Sequence, residues 1–343
     1  MTDLTNSLNE RGQTVYAALA NNSPLTTELQ LPHGRILHSR MKNALDVFSA
    51  LELARFVEQN EIEIIHAHLA RDYTLAAFAA ARARNKPRFV FTRHVLFPLS
   101  RLHRIFLRRV GGVIAVSGAV ADALKQQNLF PAEKIKIIHN GIDIERFTPE
   151  IKKPNSVLTV GTIGHLAPIK GQIDFVRAAA IVSQKREDVF FLIVGEDKSR
   201  AGENRASIER LIAELNLQTR IRLSGWTDDV REHLSSFALF VSAAREEPFG
   251  LVIAEAMACG VPVIATKTEG AREIIEEGVS GEIVPVGNPQ SLAQAILDLL
   301  DNKEKSSKFV VNGRKRVCEN FSLEKMVDET EGFYRRVLAK AVN

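Results

Sequence analysis

Short β-branched, apolar runs alternate with helix-length amphipathic segments along almost the whole of this 343-residue chain, and that alternation constrains its fold most. In the first half the runs are "TVYAAL", "IEIIHA", "RFVFTR", "GVIAVS" and "IKIIHN". In the second half they are "VLTVGTIG", "VFFLIVG", "RIRLSG", "LFVSAA", "VPVIAT" and "GEIVPV". Between them lie stretches such as "NALDVFSALELARFVEQN" and "GQIDFVRAAAIVSQKRE". Strands separated by helical patterns of this length build βαβ units and hence parallel sheets. Runs that are nearly all apolar require cover on both faces of the sheet. The pattern breaks at "RFTPEIKKPNS", residues 146–156, where prolines and lysines interrupt it before a new strand begins. The expected fold class is α/β, with two doubly wound domains over residues 1–148 and 149–321. The apolar spacing of the last segment predicts a terminal helix over 322–343, packing back on the first domain. In such sheets ligands sit at the carboxyl ends of the strands, so a cleft between the domains is the expected site.

The start, "MTDLTNSLNERGQ", is polar and carries acids, unlike a signal peptide. No long apolar run is free of charge, which argues against a membrane span. Cys259 and Cys318 fit no metal or redox spacing and suggest a reducing compartment, so a cytoplasmic location is expected. Charge is uneven: residues 1–150 hold 19 Lys and Arg against 14 Asp and Glu. From Tyr73 to Ala121 there is no acid, yet nine bases occur: Arg82, Arg84, Lys86, Arg88, Arg93, Arg101, Arg104, Arg108 and Arg109. Such a field attracts an anionic lipid, a nucleic acid or a phosphorylated substrate; a merely solvated face is the competing reading.

The stretch "EEPFGLVIAEAMACG" places Glu247 and Glu255 with seven residues between them. "LFVSAA" reads as a strand, "REEPFG" as the loop after it and "LVIAEAMACG" as a helix. The unpaired N–H groups of that helix's first turn form an anion or hydroxyl site, and Gly250 removes a side chain where a ligand would meet the backbone. One acid reaches from the loop and the other from the helix. That suits one polyhydroxylated ligand laid across the helix start better than a metal cage.

Together with "EGAREIIEEGVSGEIVPVGNPQSLAQAI", "VSGAVADALKQ", "IIHNGIDIERFTP" and "VGTIGHLAPIKGQIDF", this block resembles the retaining glycosyltransferases of family 4, of the GT-B fold with two Rossmann-like domains. The resemblance covers nearly the whole chain. It implies that Glu247 contacts the donor sugar and Glu255 the ribose of the nucleotide, with backbone amides of Phe249, Gly250, Leu251 and Val252 near sugar and phosphate. Lys170, in "PIKG", matches the family's phosphate lysine. The usual arginine five residues earlier is His165 here, which is only partly charged near neutrality and cannot form a bidentate fork. Either diphosphate binding raises its pKa or another base supplies the charge, for example one from the basic stretch of the first domain. Gly161 and Gly164 are expected to let the phosphates approach the loop, with a strand-end turn as the competing reading. His94, ending "FVFTRH", resembles the family's cleft-facing histidine and is expected near the transferred sugar; a satisfied strand-end histidine is the competing reading. Trp226, in "SGWTDDV", is expected by the base, with a core tryptophan as the alternative. His66 and His68 in "IIHAHL" lack nearby carboxylate or thiolate partners for a metal site.

No Asp-x-Asp occurs in the chain, which fits a metal-independent class. The resemblance therefore implies a retaining, metal-independent hexosyltransferase. It would move a sugar from a nucleoside-diphosphate sugar to a glycan or lipid-linked acceptor in cell-surface polysaccharide or glycolipid synthesis. The donor is a substrate, and no cofactor is expected. The partners implied are the nucleotide sugar, the acceptor and an anionic membrane surface met through the basic stretch 82–109 at the inner face of the membrane, with no nucleic acid. In the family a first strand and a glycine-rich loop precede a helix whose ending resembles "LNERGQTVYAAL". Here the helix is expected from about Asp3, so the resemblance implies a first domain lacking that strand and loop. Two alternatives stay open: a catalytically silent sugar-nucleotide-binding protein, or half of a complex, and a nucleotide-sugar epimerase.

Overall fold

The computed structural model describes residues 1–100, 103–149 and 157–339, and it divides into two compact units. Most of the break "RFTPEIKKPNS", residues 150–156, and Arg101 of the basic stretch lie outside the described residues.

The first unit comprises Met1–Gly141 and Leu323–Asn343. Its strands are β1 (Ala17–Ala20), β2 (Ile36–Ser39), β3 (Ile64–Ala67), β4 (Arg88–Arg93), β5 (Gly112–Ala115) and β6 (Ile135–Ile137). β1 pairs in parallel with β2, and β3-β4-β5-β6 form a separate parallel sheet. β2 was not among the expected strands. Its segment, "RILHSR", is half polar and carries an exposed His38, as an edge strand does, so it lacks the apolar run that marks the others. A cleft of about 880 Å³ runs between β1 and β3, lined by the length of both. Both faces of the larger sheet are covered: Val90, Phe91 and Val113 are fully buried. Helix Val47–Gln59 starts at Asp46, whose carboxylate accepts from the Ser49 N–H, and its Leu53, Ala54 and Val57 pack on Ala79 and Ala83. Helix Leu323–Ala339 closes the other face, where Phe333 and Val337 join Val90, Ile114 and Ile138 in one cluster. A Cβ on Gly112 would stand 2.5 Å from the Phe333 ring, so this helix seats directly on β5.

The second unit, Ile142–Ser322, holds β7 (Leu158–Ile163), β8 (Val189–Val194), β9 (Ile221–Gly225), β10 (Leu239–Ser242), β11 (Val263–Thr266) and β12 (Glu282–Val284). They form one parallel sheet in the order β12-β11-β10-β7-β8-β9. The chain lays down β7, β8 and β9 in one direction and then returns to the other side of β7 for the rest. The strand order reverses between β7 and β10, and such a reversal opens a crevice at the carboxyl ends of those two strands. Phe175, Phe191, Val160 and Val241 lie in a single core beneath it. Two of its helices start at side-chain caps: Thr268 accepts from the Ala271 N–H and Asn288 from the Ser291 N–H.

Candidate functional site

The loops that follow β7 and β10 meet at this reversal. After β7 the chain runs through Gly164 and His165 into a short turn, Pro168–Lys170, ahead of helix Gln172–Ser183. After β10 it runs through Glu246, Glu247 and Pro248 into helix Leu251–Ala258. The two loops are locked to each other. The Arg245 N–H donates to the Ile169 carbonyl at 2.8 Å, and the Arg245 guanidinium reaches the buried Asp174 carboxylate at 3.0 Å. Gly171 has φ +68°, and a Cβ there would fall 1.9 Å from the Ala243 carbonyl oxygen, so only glycine lets the loops approach this closely.

This packing brings the two best-marked side chains together: Lys170 Nζ donates to Glu247 Oε2 at 2.6 Å. Both are partly shielded, with side-chain exposures of 31% and 16%. From the other side, the Gly270 N–H donates to the Glu247 carbonyl at 2.9 Å and fixes the loop backbone. Gly250, at φ +99°, is the N-cap of the next helix and no side chain caps it. The backbone of Leu251 and Val252 therefore opens the helix beside the ion pair. Phe249 turns its ring inward, 5.8 Å from Phe321, so its contribution to the site is its main chain. Glu255 lies on the same helix and is half-buried.

His165 is exposed, with its carbonyl held by Gln172 Nε2 at 2.8 Å. Its ring lies nearly parallel to the Trp226 indole, with centroids 6.2 Å apart at 13°. Lys198, on the loop after β8, places Nζ 5.4 Å from the centre of the same indole. Partial burial, Lys198 and Lys170, in that order, push the His165 pKa below its ordinary value against the opposing pull of Glu196. Of the two lysines that act on His165 within this unit, Lys198 has the larger influence, and it is a residue that sequence reasoning passed over. Its signal was its place: "GEDKSR" directly follows a strand adjacent to β7. Trp226 is 58% exposed, which removes the core reading and leaves an open aromatic surface beside His165. Gly161 does not serve as a phosphate approach: a Cβ there would lie 2.0 Å from the Phe237 ring, so its smallness admits a core phenyl group. Gly164 does sit in the loop, where its N–H donates to the Val194 carbonyl at 2.9 Å.

His94 belongs to the first unit, one residue past β4. Its ring stacks toward His68, with centroids 5.8 Å apart, and His68 stacks on His66 at 4.2 Å. His66 Nδ1 lies 2.6 Å from the Tyr334 hydroxyl and Nε2 lies 2.8 Å from the Thr92 hydroxyl, an environment that suits a neutral imidazole. Burial, His94 and the Met1 amino group push His66 down to about 3. Burial, the same amino group and Arg93 push His94 down to about 4. His68 is driven down by burial and by His66, and its buried Nδ1 has no hydrogen-bond partner among the described residues.

Comparison with known proteins places this arrangement. The model of the glycosyl transferases group 1 matches residues 143–316, and that of Glycosyltransferase Family 4 matches residues 1–146. The chain is 28% identical to N-acetyl-alpha-D-glucosaminyl L-malate synthase of Bacillus anthracis, over 98% of this chain and 93% of the relative. It is 25% identical to the UDP-Gal:alpha-D-GlcNAc-diphosphoundecaprenol alpha-1,3-galactosyltransferase of Escherichia coli, over 84% and 79%. Among solved structures, HepE of Anabaena in complex with UDP and glucose superposes with a TM-score of 0.84 at 25% identity, covering 98% of this chain and 94% of that one. A glycosyltransferase from Rickettsia africae shares the fold at 24% identity, with a TM-score of 0.83 over 98% and 93%.

Proposed function

The chain belongs to the glycosyl transferases group 1, of GT-B fold, and from that premise we propose that it transfers a sugar, with retention of configuration, from a nucleoside-diphosphate sugar to a glycan or lipid-linked acceptor. The observation that carries this reading is the Lys170–Glu247 pair at the β7–β10 reversal, beside the uncapped start of helix Leu251–Ala258. A cation for phosphate, an acid for hydroxyls and a helix start for either stand within one loop cluster. UDP is the nucleotide to try first, because HepE was solved with UDP and the Escherichia coli relative is named for UDP-galactose.

In this proposal the bond between sugar C1 and the β-phosphate oxygen breaks while the acceptor oxygen bonds to C1 on the same face. The acceptor proton passes to the departing phosphate. Charge develops on that phosphate, and fixed cations there lower the barrier most directly. In this scheme Lys170 supplies one positive charge and Lys198, beside His165 and Trp226, supplies another, so that the diphosphate needs no metal. As Lys170 turns to the phosphate, Glu247 is released to a sugar hydroxyl and Glu255 takes the ribose. With Glu247 engaged by a sugar hydroxyl and Glu255 by the ribose, neither carboxylate is assigned to attack C1, and same-face attack is proposed in place of a covalent enzyme intermediate. His94 would orient a sugar hydroxyl or the acceptor as a neutral imidazole.

Isothermal titration of nucleoside diphosphates and their sugars onto wild type and Glu255→Ala tests the site. Binding of one nucleotide to wild type, weakened at least about 30-fold in the variant, is expected for loss of a charged hydrogen bond worth about 2 kcal/mol. Turnover then releases the nucleoside diphosphate and gives an axial product linkage from an axial donor. Binding without release would replace this reading with that of a silent binding protein. Conversion of the sugar while still attached to the diphosphate would replace it with an epimerase.

A further inference from the structure

The Lys170–Glu247 pair is closed on itself. Among the described residues neither head group has another hydrogen-bond or ion-pair partner. The backbones on both sides are fixed. The turn carrying Lys170 is held by its own N–H on the Ala167 carbonyl at 2.8 Å, by the Arg245 N–H on the Ile169 carbonyl and by Gly171 against Ala243. The loop carrying Glu247 is held by Gly270, where a Cβ would fall 2.6 Å from the Glu247 carbonyl oxygen. A Cβ on Gly250 would stand 3.3 Å from the Glu247 Cγ, so the stem of this acid lies against the start of helix Leu251–Ala258. Separation of the pair therefore comes from side-chain rotation. Lys170, on its long flexible stem, is the member that swings, and the shorter, less exposed Glu247 stays.

That asymmetry sets what a ligand must bring. A diphosphate that takes the Lys170 ammonium group leaves a shielded carboxylate without its counter-charge. The acid then loses a charge-assisted hydrogen bond while the cost of its burial remains. A ligand hydroxyl donating to Glu247 restores the bond. A free nucleoside diphosphate carries no hydroxyl beyond its β-phosphate that could do so, whereas a nucleoside-diphosphate sugar carries several.

We propose that the Lys170–Glu247 pair is a latch that selects the sugar-bearing donor over the free nucleoside diphosphate, opening for a ligand that offers Lys170 a phosphate and Glu247 a hydroxyl together. After transfer the remaining diphosphate no longer satisfies Glu247, so the pair re-forms and weakens the hold on the product. The inference rests on the reading that this site takes a nucleoside-diphosphate sugar, and it adds that the resting site discriminates between substrate and product.

Calorimetric titration of UDP, GDP and ADP, and of UDP-glucose, UDP-N-acetylglucosamine, GDP-mannose and ADP-glucose, onto the full chain tests it. In wild type the sugar-bearing form should bind about 10- to 100-fold more tightly than its parent diphosphate, the worth of one hydrogen bond to a charged group. Glu247→Gln keeps the shape of the acid, needs no counter-charge and leaves Lys170 unengaged. It should tighten the free diphosphate by roughly tenfold and cut the preference for the sugar-bearing form to about threefold or less. Simple repulsion between Glu247 and the phosphates would also yield to this substitution, but repulsion is screened by salt and a 2.6 Å contact is not. The gain should therefore persist at about 0.5 M NaCl, and at that salt it should vanish when Lys170→Met removes the lysine to be freed. The tryptophan-detected urea midpoint checks that the second unit of each variant stays folded. Equal wild-type affinity for the free and sugar-bearing forms overturns the latch and leaves the donor site standing. So does an unchanged preference in Glu247→Gln, a gain that salt abolishes, or one that survives at high salt with Met at position 170. Binding by none of these ligands overturns the donor reading and the latch with it.

Discussion

Acidification should unfold the first unit preferentially, and the histidine cluster sets by how much. His66 and His94 are held at about 3 and about 4, while an unfolded histidine titrates near 6.5. Between those values the unfolded chain binds more protons than the folded one, so stability rises with pH. The contribution is fully present above about pH 6.5 and is lost progressively as pH falls toward the folded values. At pH 5 each of these two residues removes about 2 kcal/mol relative to pH 7.5, from the ratio of protonated fractions in the two states. Their mutual influence makes the joint loss less than about 4 kcal/mol, with His68 adding in the same direction. That is a large share of the stability of an ordinary domain. The chain supplies its own reporters: Tyr16, Tyr73 and Tyr334 all lie in the first unit, and Trp226 is the sole tryptophan and lies in the second. Urea unfolding at pH 7.5 and pH 5.0, followed by tyrosine absorbance and by tryptophan fluorescence, separates the two. The tyrosine transition should lose about 2–4 kcal/mol and the tryptophan transition much less. His94→Gln should return about 2 kcal/mol of the loss at pH 5. A tyrosine transition with the same stability at both pH values would refute the claim that these rings are held neutral.

Two further expectations concern the donor loops. His165→Arg should tighten UDP binding at pH 8 by roughly 10- to 100-fold, the worth of one added charge-assisted hydrogen bond. Wild type, whose His165 is held down by burial and two lysines, should take up protons on binding, as titration in buffers of different ionisation enthalpy would show; equal affinity and no uptake would place the diphosphate elsewhere. Gly171→Ala should cost the second unit at least about 2 kcal/mol, because it combines a left-handed backbone with an overlap on the Ala243 carbonyl. The tryptophan-detected urea midpoint measures this, and an unchanged midpoint would show that the loops can part without penalty.

The inner strands of the second unit were legible because they are largely buried on both faces and so read as apolar runs; "VFFLIVG" and "VPVIAT" have no other reading of comparable weight, whereas the edge strand β9 is largely exposed. β2 was not legible, since a four-residue edge strand with polar neighbours leaves no periodic signal. The meeting of Lys170 with Glu247 depends on β7 and β10 being neighbours, a long-range pairing that local pattern does not encode. For the same reason Lys198 was invisible: its importance comes from standing near His165 and Trp226, not from its own segment. Gly161 was misread because a glycine inside a strand carries the same letter as one in the loop after it, and it admits a phenyl ring here.

Helix Leu323–Ala339 has a consequence for how the chain comes into being. The first unit is built from two stretches of sequence separated by the whole of the second. Until Phe333 and Val337 have been synthesised, the apolar face formed by Val90, Ile114 and Ile138 has nothing to close it. At ribosomal rates of about 5–20 residues per second, that face waits roughly 10–40 s while the second unit emerges. The second unit is continuous in sequence and can complete its sheet during that interval. It should therefore mature first, with the half-made first unit being the species that chaperones and proteases meet.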